Sequence, residues 1–120
     1  MAHVVAYIPD LLFGSRVQAD LVADGHTVAL VGDAGAVRDA LSSANALVVD
    51  LTDDVSRRAE LVESLSGEGL LDGIRTLAFY SHVEVDTRQR AEDTGFDLVI
   101  PRSRMAREGA ALITRLTATF

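Results

Sequence analysis

Ala46-Leu47-Val48-Val49-Asp50-Leu51 is a short run that is apolar on both faces except at Asp50. A strand with one wet face would alternate apolar and polar residues. A run without alternation reads as a strand covered on both sides, the usual state of a parallel sheet. Toward the N-terminus lies a second such run, His3 to Ile8, stopped by Pro9. Asp10 then stands where it can cap a helix whose Phe13, Val17 and Leu21 share one face, with Gly25 to close it. Thr27–Val31 reads as the next strand, broken by Gly32-Asp33-Ala34-Gly35, and a short helix follows with Val37 and Leu41 inward. Toward the C-terminus, Val55, Ala59 and Val62 mark a helix that runs into the Ser66-Gly67-Glu68-Gly69 turn. Ile74–Tyr80 and Asp97–Ile100 read as strands flanking a polar helix, Asp86–Thr94, that turns Ala91 inward. A last helix, about Ser103 to Thr117, buries Met105, Leu112, Ile113 and Leu116.

Strands that are apolar on both faces, alternating with helices, require a doubly wound α/β sheet. Right-handed crossovers leave few windings, and the simplest is a five-stranded parallel sheet of order 2-1-3-4-5. The first and last helices are then expected on one face and the middle three on the other. Val5 and Val48, on the two central strands, should be almost fully buried.

At 120 residues the chain reads as a single domain, residues 1–120. Hydrophobic residues make up 48% and charged ones 24%, an ordinary soluble balance. No run has the length of a membrane span and no basic leader is visible, so the expected location is the cytoplasm. A net charge of −7 disfavours nucleic acid or an anionic membrane as partner. The absence of cysteine removes disulfides, thiolate metal sites and cysteine nucleophiles. All 11 basic residues are arginine, which removes the Walker-type phosphate loop and the lysine Schiff base. The charge is also uneven: the first half is acidic, whereas Arg102, Arg104, Arg107 and Arg115 make the last helix basic.

In open sheets of this kind, ligands bind past the carboxyl ends of the strands. There the sequence places Asp10 after strand 1, Asp50 at the end of strand 3, Ser81 and His82 after strand 4, and Arg102 and Ser103 after strand 5. A carboxylate ending an apolar strand is costly to bury unless paired, so Asp50 draws the functional reading, with Arg102 as its expected ion-pair partner. Asp10 reads as a helix cap and Ser103 as the cap of the last helix. His82 reads as a solvated loop residue, and His3 and His26 stand at the opposite edge without a role. Gly67, Gly69 and Gly73 precede strand 4 rather than follow strand 1, so no dinucleotide loop is read there.

This order of elements and end-of-strand residues resembles the receiver domain of bacterial two-component response regulators, over the whole chain. The resemblance implies that Asp50, in Val49-Asp50-Leu51, holds the phosphoacceptor position. It places Ser81 where a hydroxyl senses the phosphoryl group, and Arg102 where the family has lysine. The family's metal-binding acidic pair falls on Ile8 and Pro9, leaving Asp10 and Asp50, with a Thr52 carbonyl, as at most a weak Mg²⁺ site. Val99 stands in place of the usual aromatic switch. These departures mark an atypical or pseudo-receiver.

Two functions follow. The first is a stand-alone signalling domain, not an enzyme, with phosphorylation at Asp50 weakened or lost. No effector domain fits in the length, so it would act by docking to a kinase or downstream regulator. Its contact surface is expected on the last two helices, near Arg104 and Arg107, where a homodimer would also form. The alternative is a small-ligand domain in which Arg102, Ser81 and the turn near Ser15-Arg16 hold a nucleotide phosphate or other anion.

Overall fold

Each apolar run forms a strand and each amphipathic stretch a helix in the computed structural model, which describes residues 1–81 and 85–118. The elements in chain order are β1 (His3–Tyr7), α1 (Leu11–Ala23), β2 (Thr27–Val31), α2 (Ala34–Ala40), a 3₁₀ turn (Leu41–Ser43), β3 (Ala46–Asp50) and α3 (Val55–Gly67). They continue with β4 (Arg75–Tyr80), α4 (Val85–Thr94), β5 (Leu98–Pro101) and α5 (Arg102–Thr117). The sheet has five strands in the order β2-β1-β3-β4-β5, and every pairing is parallel.

The pleat divides the core in two. Val4, Ala6, Val48, Leu77 and Phe79 face α1 and α5, and meet Phe13, Leu21, Met105 and Ile113. Val5, Leu47, Val49 and Ala78 face the other side, and meet Val37, Val62, Leu65 and Ala91 of α2, α3 and α4. The distribution of helices thus follows the sequence reading, and Val5 and Val48 are both fully buried. In register, Val5 lies between Ala29 and Leu47, and Val48 between Ala6 and Leu77.

Local chemistry sets the ends. The Asp10 carboxylate accepts the Leu12 and Phe13 N–H groups and so caps α1, as its position suggested. Asp33 caps α2 in the same way through Ala36 N–H. After α1 the chain turns at Gly25, whose φ of 92° is open to glycine at little cost. The expectation that Ser103 caps the last helix is corrected: α5 begins one residue earlier, at Arg102, with Pro101 in the cap position and no side-chain cap bond. Proline fixes φ near its helical value, which lets the helix start directly after it. At the opposite edge His26 is buried. Its Nδ1 accepts the Ala2 N–H at 3.1 Å and its Nε2 lies 2.9 Å from Thr114 Oγ1, tying β1 to α5. No described helix is long and apolar enough to cross a membrane.

Candidate functional site

Asp50 is the last residue of β3, at the carboxyl edge of the sheet, and only 3% of it is exposed. Its Oδ1 accepts both the N–H and the hydroxyl of Thr52, closing a tight turn just beyond the strand. Its Oδ2 lies 3.9 Å from the Nη1 of Arg58. The same Nη1 donates to the Asp50 carbonyl at 2.9 Å. The Arg58 guanidinium also sits over the Tyr7 ring, 5.5 Å from its centroid. Both carboxylate oxygens therefore face internal donors, and a buried cation balances the buried anion.

Arg58 is the residue that the sequence reading missed. It projects from α3 on the buried stripe with Ala59, Val62 and Leu65. Its spacing was the available signal, since Arg58 falls at i+3 from Val55 and i−4 from Val62 in an otherwise apolar stripe. Its Nε is buried without a hydrogen-bond partner among the described residues, so the arginine is held there at a cost.

Arg102 does not pair with Asp50, which corrects the expected ion pair. Its Nη2 lies 3.7 Å from Asp10 Oδ2, and its guanidinium covers the face of Phe13 at 4.0 Å from the centroid. The reason is desolvation. The Asp10–Arg102 pair stays about half exposed and forfeits little hydration, and the Phe13 ring adds a cation–π contact. Asp50, deep in the edge, is instead neutralised by an arginine that is itself buried.

The carboxyl end of the sheet thus holds two groups of side chains. One is the sealed Asp50–Thr52–Arg58 cluster. The other is an open crevice of about 290 Å³ between the starts of α1 and α5, lined by Phe13, Arg16, Ser81, Arg102, Ser103 and Ala106. Ser81 and Arg102 are thus brought together with Arg16, as the small-ligand alternative required, and Asp50 is not among the residues that line the crevice. His82 lies outside the described residues.

The donor set does not fit Mg²⁺, which takes near-octahedral oxygen ligands from one or two carboxylates and waters. Asp10 spends one oxygen on the α1 cap and the other on Arg102, and Asp50 is committed to Thr52 and Arg58. Ile8, buried at the position of the missing acid, offers no side-chain oxygen. Among the described residues, no three acidic or histidine side chains converge to hold a metal ion.

No protein-family model and no curated protein sequence matches the chain. Solved structures do match. NtrX from Brucella abortus, determined in complex with ADP, superimposes at a TM-score of 0.83 with 15% identity over 98% of this chain, which spans 26% of that protein. The Mn²⁺-bound form of the response regulator Rcp1 gives 0.80 at 12% identity, covering 100% of this chain and 97% of its own. The chemotaxis protein CheY4 of Vibrio cholerae gives 0.80 at 16% identity, with 97% and 98% covered. The class defined by this likeness is the receiver-like, flavodoxin-type α/β fold of response regulators. At such identities the likeness is one of fold, and the residues at the strand ends are this chain's own.

Proposed function

We propose that residues 1–120 form a receiver-like signalling domain that acts in the cytoplasm by contact with another protein, a kinase or a downstream regulator, and that it has lost the phosphorylation switch. The observation that carries this reading is the commitment of Asp50. Its Oδ1 is held by two Thr52 donors and its Oδ2 faces the buried Arg58. In-line attack on a phosphoryl donor needs a carboxylate oxygen free to approach phosphorus and a cation to bridge the two. Here the cation is part of the fold, Oδ1 holds two hydrogen bonds, and Oδ2 faces the guanidinium at 3.9 Å. The domain is read as non-enzymatic because the described residues at the strand ends supply no activated nucleophile and no acid–base pair.

Incubation with acetyl phosphate and Mg²⁺, followed by intact-mass measurement, is expected to leave the chain unmodified. Beryllofluoride with Mg²⁺ should likewise leave its spectrum unchanged. Stoichiometric phosphoryl incorporation at Asp50 would overturn the reading.

The crevice favours part of a second reading, binding of a small anion, because it gathers Arg16, Arg102 and two hydroxyls. A nucleotide fits it less well. Phe13, the one aromatic lining residue among the described residues, has Arg102 over its ring and lies with its centroid 5.2 Å from that of Phe79, so a base finds no open platform on it.

A further inference from the structure

We infer that the chain forms a symmetric dimer through the free edge of β2, rather than through the last two helices as the sequence suggested. The occupant of the edge is the same strand of a second copy, running antiparallel. The inference stands apart from the reading of Asp50 and of the partner protein. The backbone of β2, its sequence and the flank of α1 carry it.

β2 ends the sheet, and among the described residues no strand pairs with its outer side. The Thr27 N–H donates to the Ala2 carbonyl and the Val31 carbonyl accepts from Ile8, so both residues turn their backbone groups toward β1. These groups alternate sides along a strand, so Val28 and Leu30 turn their N–H and C=O outward. The other edge is β5, which has four residues, ends in Pro101 and is bracketed by Asp97 and Arg102. Proline and charge are the usual guards of an edge strand, and β2 has neither. Residues 25–32 contain no aspartate, glutamate, arginine or proline, and all of β2 is at least partly exposed.

The sequence of β2 suits pairing with itself. Antiparallel pairing of Thr27-Val28-Ala29-Leu30-Val31 about Ala29 sets Val28 opposite Leu30 of the second copy, and Leu30 opposite its Val28. Each such pair exchanges both N–H···O=C bonds, so all the outward groups of Val28 and Leu30 in both copies are used. Ala29 then faces Ala29 across the two-fold axis as a non-hydrogen-bonded pair. That is the position of closest approach, about 4.5 Å between Cα atoms, which a small side chain suits. The nearest acids, Asp24 and Asp33, fall opposite Ala34 and Gly25 rather than opposite each other.

The flank of α1 supplies apolar area. α1 lies so close over β2 that a Cβ on Gly14 would meet Leu30 at 3.0 Å. Arg16, Asp20 and Ala23 turn toward α5 and line a groove with it. The opposite flank carries Leu11, Ser15, Gln18 and Val22 at helical spacing, and so faces beyond the outer edge of β2. It holds no charge, and Leu11 is 76% and Val22 54% exposed. Two copies of a chain with net charge −7 repel each other. An uncharged strand edge beside an apolar helix flank is where they can meet with least repulsion, and the pairing brings the two α1 flanks together.

Sedimentation velocity over a range of concentrations is expected to show monomer and dimer in exchange and nothing larger, because pairing uses up the unguarded edge. Val22→Glu should weaken the dimer about tenfold by adding like charges across it. Leu11→Ser should weaken it several-fold, roughly the value of one leucine leaving water. Both positions are exposed, so the melts of the two variants should stay close to that of the parent. The chain has no cysteine, so a single introduced thiol can bridge only between copies. Ala29→Cys, treated with oxidised glutathione, should form a disulfide-linked dimer, since the paired Cα separation lies within disulfide range. Arg107→Cys, on the last helix, should crosslink more slowly. In amide hydrogen exchange, Val28 and Leu30 should slow as concentration rises, whereas Ala29, turned toward β1, is protected throughout.

A monomer at every concentration, a dimer that Val22→Glu leaves intact, or faster crosslinking through Arg107→Cys than through Ala29→Cys would each overturn the inference. So would Val28 and Leu30 amides that exchange alike at low and high concentration.

Discussion

Asp50 and Arg58 show how a single buried residue sets the chemistry of a strand end. A carboxylate with 3% exposure is costly to ionise in a low-dielectric edge unless something restores the lost hydration. Thr52 supplies two hydrogen bonds and Arg58 a cation, so the charge is tolerated only while that set is complete. Asp50→Ala and Arg58→Ala should therefore each cost about 3 kcal/mol, because each strands its partner. The double variant should cost less than the sum by about 1–3 kcal/mol. A double-mutant cycle read from denaturant melts checks this, and additive losses would show that the two do not pair. The exposed Arg102–Asp10 pair offers a contrast, since a half-solvated ion pair is worth at most about 1 kcal/mol. Asp50 was legible as special from the sequence, because a lone carboxylate in an apolar strand is a local signal. Its partner was not. Arg102 stood at a neighbouring strand end and Arg58 eight residues along the chain, and only the packing of α3 against Tyr7 and the end of β3 decides between them.

Among the elements, α1 illustrates how closely a helix must approach the sheet to position this end of the molecule. A Cβ on Gly14 would lie 3.0 Å from Leu30 Cδ1 and 3.1 Å from the Ile8 carbonyl oxygen. The leucine could turn aside, but the carbonyl belongs to the chain just past β1 and cannot. Gly14→Ala should therefore push α1 outward and cost about 1–3 kcal/mol, as overpacking does. Gly109 in α5 makes a useful comparison. Its Cβ would meet only the thioether end of Met105, at 2.8 Å, and that flexible side chain can swing away. There the gain in helix propensity, about 1 kcal/mol, offsets the repacking, and Gly109→Ala should be close to neutral. Denaturant midpoints of the two variants check the prediction, and equal effects would contradict it. The order and extent of the elements were legible because apolar runs, helical spacing, Asp caps and turn glycines are all local signals. Boundaries shifted by a residue or so where a proline or an Asx turn, not a hydrophobic pattern, set the end, as at Pro101 and at Asp50-Leu51-Thr52. The small size of the residue that α1 needs at position 14 was not legible, since it depends on Ile8 and Leu30 across the interface.

For the molecule as a whole, one central sheet divides two apolar cores; β1, β3 and β4 each have a strand on both sides, and the winding reverses between β1 and β3. Everything at the carboxyl edge depends on those two strands holding register: Asp10 follows β1, Asp50 ends β3, and α1 and α5 meet above their shared face. Val48 sits at the middle of this arrangement, fully buried, with Ala6 and Leu77 beside it and the α1–α5 core over it. Among the described residues no cation lies in the core that surrounds that position, and a charge introduced there has no counterpart to Arg58. Val48→Asp must either ionise in the core or fold protonated with unmet hydrogen bonds, and both routes cost several kcal/mol. A domain of this size has about 5–15 kcal/mol in total, and the same substitution also removes the valine's own burial, about 2 kcal/mol. The expected outcome is loss of the cooperative melt for Val48→Asp. Val48→Ala, which makes a cavity but no charge, should melt cooperatively at a lower midpoint. Circular dichroism melts of the two variants side by side separate the causes. If Val48→Asp melted as cooperatively as Val48→Ala, the aspartate would have found water. The strand order that buries position 48 between β1 and β4 would then be wrong.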